Sequence, residues 1–226
     1  MMRVALNDPW LDCDLGAPHR VLSWAPFRPG YQTTRRIVWR QVRNADLPTD
    51  LDVSAWLAGE MHRHQAEDAI CLLTSRDISC HHMVRTSIGD VAVQALATVG
   101  LSNAEAVGAR ADRSGRDWDK VIPAYGTINI AVRLSRPLSD TGLLEALSVA
   151  TQARTAAVIA AGHKVPGGAV ATGTGTDCIA VAAPAGDEDY CGLHTAQGEA
   201  LGRAVFDAVA RGAAEWQASI GLRSEG

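Results

Sequence analysis

The sequence has no C-x-x-C pair, no H-E-x-x-H motif, no P-loop and no apolar run approaching the ~20 residues needed to span a bilayer. Each absence removes a class of function. The five cysteines, Cys13, Cys71, Cys80, Cys178 and Cys191, are odd in number and scattered, which fits reduced thiols better than a disulfide framework or a zinc site. The first residues, MMRVALNDPWLDCDLG, carry acids where a signal peptide needs an uninterrupted apolar segment. Neither secretion nor membrane insertion is expected, and the location read from the sequence is cytoplasmic.

Positive charge is also scarce. A net charge of -4 supplies no general field for nucleic acid, so a phosphate partner would need a local patch. The candidate patch is Arg35, Arg36, Arg40 and Arg43 in TTRRIVWRQVR. That segment reads as a strand whose alternation splits the charges between two faces, as on a solvated edge strand, and no nucleic-acid partner is expected. Phenylalanine is rare, with two against six tryptophans. Trp24 and Trp118 stand beside turns and loops, where an indole can stack on a flat ligand.

What is present is enough apolar residue for a packed core in one domain spanning 1–226. The first forty-odd residues read as a meander of short strands, LDCDL, HRVLSWAP and the arginine strand after Pro29-Gly30. A helix follows, with Ser54 as the expected N-cap. AICLL reads as a buried strand, and Val91 to Val99 as another. In TINIAVRLS, Ile128, Ile130, Val132 and Leu134 alternate with polar and small residues, so Asn129 is expected to point away from the apolar core. RADRSGRDWDK, 110–120, is too polar to pack alone and reads as a surface loop.

A long helix is predicted from Ser139 or Asp140 to the terminating Gly162, then a KVPGG turn, then a strand over Cys178 to Ala183. Thr195 is the expected N-cap of a last helix striped with Leu201, Val205, Ala208, Val209 and Trp216. Together these elements predict an α+β fold, a single-domain layered sandwich with mixed, largely antiparallel sheets and packed helices. The small-residue-rich helices can pack on a sheet or on a second subunit, so a homo-oligomer is possible.

Two features carry chemistry on their own residues. GTGTD, Gly173 to Asp177, lacks the strand and helix context of a dinucleotide loop, because a strand follows it. It can instead present its backbone, the hydroxyls of Thr174 and Thr176, and the Asp177 carboxylate to a neutral polar ligand; equally, Asp177 can serve only as a turn residue. His194 stands just before a helix start, where the dipole favours a neutral imidazole. Cys178 opens an apolar strand and reads as a small hydrophobe.

Read in order, VLSWAP (21–26), LLTSRDI (72–78), ATVGLSNA (97–104), GTINI (126–130), ATQARTAAV (150–158), GTGTDCIAVA (173–182) and GLHTAQGEALGRAV (192–205) resemble the adenosylcobinamide amidohydrolase family. Each motif alone is weak, whereas the ordered set is specific. Within the resemblance, Arg154 stands where a lysine is usual and Cys178 where a small residue is common. The resemblance implies hydrolysis of the amide joining the aminopropanol arm to the corrin ring, releasing adenosylcobyric acid for corrinoid salvage. The corrinoid is then the partner, and cobalt arrives with it, so the protein itself needs no metal or other cofactor. A non-catalytic corrinoid carrier or sensor, or an amidase of complete cobamides, are the alternatives.

For an unactivated amide the expected machinery is a base, oxyanion donors and an acid for the departing amine. His194 oriented by Asp177 is the expected pair, with Asn129 and the glycine-loop amides receiving the oxyanion. Thr176 as a covalent nucleophile is the competing mechanism. Ser23, Thr74, Ser102, Asn103, Gly126, Thr127, Gly173, Thr174, Gly175 and Thr195 are the expected contacts to the substrate.

Overall fold

Alternation on three strands sets the architecture. The computed structural model describes residues 1–43, 46–48, 50–109 and 126–224. In chain order its elements begin with β1 (Arg3–Asn7), β2 (Trp10–Ser23), β3 (Gly30–Gln41), α1 (Val53–Arg63), β4 (Ile70–Thr74), β5 (His81–Ile88) and β6 (Val91–Val99). They continue with β7 (Ala104–Glu105), β8 (Ile128–Leu134), α2 (Asp140–Ala160), β9 (Gly173–Thr174), β10 (Cys178–Ala183) and α3 (Ala196–Ser224). The sheet order is β4-β3-β2-β10-β8-β6-β5, with β1 beside β2, and β7 pairs separately with β9. Among the strand pairs of the described residues only β3–β4 and β8–β10 are parallel, so the mixed, largely antiparallel sandwich expected from the sequence is what forms.

On β8, Ile128, Ile130, Val132 and Leu134 enter one core with Val91, Val93, Ala95, Ala97 and Val99 of β6 and Ile179 and Val181 of β10. The alanine-rich faces of α2 and α3 cover this side, packing on each other as well as on the sheet. The opposite face is equally dry. Leu96, Ala131, Cys178 and Ala180 meet Leu11, Ile37, Trp39, Ile70 and Leu72 from β2, β3 and β4. Asn129 Nδ2 of β8 donates to Leu73 O of β4 at 2.7 Å although three strands lie between them in the sheet order. The sheet therefore folds over on itself. Leu57 and Met61 of α1 close the outer side against Trp10, Val38 and Cys71.

This folding corrects several expectations. Asn129 does point away from the helix-side core, but into a second buried layer, and it is fully buried. The arginine strand is not an edge, because β3 runs between β2 and β4. Its charges are neutralised across the sheet: Arg35 with Asp14 at 2.8 Å, Arg36 with Asp12 at 2.7 Å and Arg40 with Glu60 of α1 at 2.7 Å. The two predicted strands LDCDL and HRVLSWAP are one long β2 that ends at Ser23, before WAP, and is interrupted where its register with β3 shifts between Asp14 and His19. Asp52, not Ser54, caps α1 by accepting from Ala55 N. The edge strand β5 gave little signal, since among its eight residues only Val84 is buried. The predicted loop 110–120, and Trp118 within it, lies outside the described residues.

The second half of the chain follows its reading closely. Ser139 caps α2 by accepting from Gly142 N, and Gly162 at φ 69° ends it. Thr195 Oγ1 accepts from Gly198 N at 3.0 Å at the start of α3. Among the described residues, no helix is long and apolar enough to cross a membrane.

Candidate active site

Strand register brings the polar loops together. Because β8 and β10 run parallel with Asn129 opposite Cys178, the residues just before each strand, Thr127 and Asp177, become neighbours. β6 ends opposite Ile128, and the chain then turns at Gly100, whose N-H donates to Thr127 O at 3.1 Å. A Cβ on Gly126 would lie 2.5 Å from Gly100 C, so these two backbones approach at a distance only glycine permits. The β7–β9 pairing then lays Asn103 against the glycine loop, with Gly175 N donating to Asn103 O at 3.0 Å.

Asp177 is the centre of this end of the sheet. Its side chain is 6% exposed and pairs with Arg154 Nη1 of α2 at 2.8 Å. Oδ1 accepts from Ile128 N at 3.2 Å and from the Thr174 hydroxyl; Oδ2 accepts from Thr174 N at 3.0 Å. Burial holds the carboxyl above the usual range, against the pull of Arg154 and of these donors. Gly173 makes the arrangement possible, since a Cβ there would sit 1.8 Å from Arg154 Nη1 and 2.6 Å from Asp177 Oδ2.

From Asp177 a line of hydroxyls leads outward. Thr174 Oγ1 donates to the carboxylate and lies 3.4 Å from Thr127 Oγ1. Thr127 Oγ1 in turn accepts from the exposed Thr176 at 3.0 Å, and Asn103 Nδ2 donates to Thr176 Oγ1 at 3.3 Å. Beside them, Trp24 Nε1 donates to Asp177 O at 2.7 Å while the side chain stays largely open, the residue being 45% exposed. A buried carboxylate, a hydroxyl path to the surface and a flat apolar face thus share one end of the sandwich.

The expected site residues divide into three groups. Asp177, Thr176, Thr174, Gly173, Gly175, Thr127, Gly126, Asn103 and Ser102 gather at this end. Ser23 and Thr74 lie at strand ends beneath it but are buried. Ser23 Oγ accepts from Ala25 N and lies 3.7 Å from Cys178 Sγ, and Thr74 Oγ1 accepts from Arg76 N. Asn129 is sealed between the sheet layers, where it ties β8 to β4 instead of offering a donor to an oxyanion. Cys178 behaves as the hydrophobe expected, its thiol pushed up to about 12 by burial.

His194 and Thr195 are elsewhere. Cys191 N donates to Glu145 Oε2, and Ser139 N to Glu188 O, so this loop lies along the first turns of α2. Arg154, which marks the Asp177 end, is nine residues beyond Glu145, about 13 Å along a helix rising ~1.5 Å per residue. The expected Asp177–His194 pair is therefore not assembled within this chain. His194 is exposed and has no hydrogen-bond partner among the described residues, while Thr195 serves as the helix cap.

Arg154 is the residue the motif reading noted without assigning a role. Its signal was a lone basic side chain on an alanine-faced helix, between the buried Ala153 and Ala157. The threonine line had no sequence signal, because it joins two segments 49 positions apart. Among the described residues, no group of three or more His, Cys, Asp or Glu side chains converges as a metal site would require.

No curated protein matches this chain. Among solved structures, a beta-aminopeptidase from Burkholderia sp. superposes with a TM-score of 0.44 at 11% identity, over 93% of this chain and 78% of that one. The PH0078 protein from Pyrococcus horikoshii OT3 does so with a TM-score of 0.44 at 10% identity, over 90% and 76%. A model of adenosylcobinamide amidohydrolases matches residues 2–220, which takes in every strand and helix from β1 and nearly all of α3, and the protein belongs to that family of amide hydrolases.

Proposed function

We propose that this enzyme hydrolyses the aminopropanol amide of adenosylcobinamide to adenosylcobyric acid, a step of corrinoid salvage in the cytoplasm, at the Asp177 end of the sandwich. The observation that carries the reading is a buried, proton-accepting carboxylate connected to an exposed hydroxyl within the motif GTGTD. Asp177 takes the proton as the nucleophile attacks and returns it to the departing amine. Amides of the glycine loop and the Asn103 side chain are the donors nearest the reacting carbonyl. The open face of Trp24 suits a flat macrocycle, and the corrin amide fringe would meet Ser102, Asn103 and Thr127. In this reading residues 1–226 act as one catalytic domain, and cobalt enters only as part of the substrate.

Mass-resolved chromatography of adenosylcobinamide after incubation with wild-type protein and with Asp177→Asn tests it, with and without chelator. Adenosylcobyric acid from wild type alone, unaffected by chelator, is the expected result. Tight binding without product would make the protein a corrinoid carrier or sensor. Equal turnover of complete cobamides would widen the substrate class.

A further inference from the structure

We infer that Thr176 is the nucleophile of this enzyme and that Thr127 and Thr174 relay its proton to Asp177. The inference rests on the site proposed above and names the group that attacks there.

The geometry is directional. Thr176 donates to Thr127 at 3.0 Å, Thr127 meets Thr174 at 3.4 Å, and Thr174 donates to Asp177 Oδ1. A hydroxyl gives one proton and accepts at its oxygen, so three in series form a single path with one polarity. Its two ends differ as a relay requires. Thr176 is exposed and Thr127 is 5% exposed, while the carboxylate is enclosed by Arg154, Thr174 N and Ile128 N. Asn103 Nδ2 holds the Thr176 oxygen from the other side at 3.3 Å. Threonines that merely satisfied one another would not need to start at the surface and end on the one buried carboxylate of the loop.

The step balances. Thr176 Oγ forms a bond to the amide carbonyl carbon as its proton passes through Thr127 and Thr174 to Asp177. The C–N bond then breaks, and the proton returns from Asp177 through Thr174 and Thr127 to the aminopropanol nitrogen, since Thr176 Oγ is now esterified. Water attacks the resulting threonyl ester as its proton passes through Thr127 and Thr174 to Asp177; the C–O bond breaks, the carboxylic acid leaves, and that proton returns to Thr176 Oγ to restore the hydroxyl. Thr127 and Thr174 act through Thr176 and Asp177 and are positioning residues.

The test uses the full chain and p-nitrophenyl acetate, an activated ester that acylates a nucleophilic hydroxyl without any corrinoid. Intact mass and peptide mapping after acid quench should place one acetyl at position 176 in wild type and in Thr176→Ser, and none in Thr176→Val. Thr127→Val should acylate about 10²-fold more slowly, the scale of a positioned proton acceptor, with Thr127→Ser restoring the rate and the pH profile. Circular dichroism melts confirm that each variant folds. No label on Thr176, or equal rates for wild type and Thr127→Val, overturns the inference. Thr176 labelled as expected but adenosylcobinamide unchanged would instead retire the proposed substrate and leave the relay standing.

Discussion

Replacing Arg154 with methionine isolates the strongest electrostatic contact of the site. The guanidinium is 13% exposed, the Asp177 carboxyl 6%, and they meet at 2.8 Å. Removing one member of a buried pair costs about 3–5 kcal/mol, because the remaining charge loses its partner without regaining water. For a chain of this size each kcal/mol moves Tm by about 2–4 °C, so Arg154→Met should melt about 6–20 °C below wild type near neutral pH. The loss should depend on pH. Asp177 already titrates above its ordinary range, and without the cation it should rise further. A carboxyl whose folded pKa exceeds its unfolded one stabilises the fold most below the unfolded value, and that contribution is lost as pH rises through the folded value. The deficit of Arg154→Met should therefore shrink as pH falls from neutral toward the raised pKa. Asp177→Asn added to Arg154→Met should recover much of the stability, since neither charge remains buried. Thermal or urea melts of wild type, the two single variants and the double variant at two pH values measure all of this. If Arg154→Met melts with wild type at neutral pH, or the double variant is no better than the single, the buried-pair reasoning fails.

Other consequences follow from the same geometry. Trp24→Ala should raise KM for the corrinoid with less effect on kcat, and Trp24→Phe should fall between, because the open indole face binds and does not react; steady-state kinetics separates the two. Gly126→Ala should lower Tm by at least the equivalent of about 1–3 kcal/mol of overpacking, as its methyl would meet Gly100 backbone at 2.5 Å, and melting shows whether that backbone can yield. His194→Ala should keep near wild-type turnover, since the residue lies along the opposite end of α2 from Asp177; a loss of more than tenfold would bring it back to the chemistry.

Much of the chain was legible without coordinates. Ile128 to Leu134 announced a strand by alternation, Ser139 and Gly162 bounded α2, and Thr195 capped α3, because each signal is local and its physics acts within a few residues. The motif order was equally readable. Where neighbours in space were distant in sequence, local reasoning failed: β3 looked like an edge because Asp12, Asp14 and Glu60 could not be seen opposite its arginines.

The sequence by itself determined the three helices, the central strands β6, β8 and β10, the family and the loop GTGTD with its one carboxylate. Only the tertiary structure decided what that carboxylate faces. Parallel pairing of β8 with β10 set Thr127 beside Thr174 and Thr176, and the packing of α2 drove Arg154 onto Asp177 while carrying His194 to the far end. The physical reason is register. A strand pairing chooses which residues 49 positions apart become neighbours, and no propensity, spacing or charge pattern within either segment records that choice.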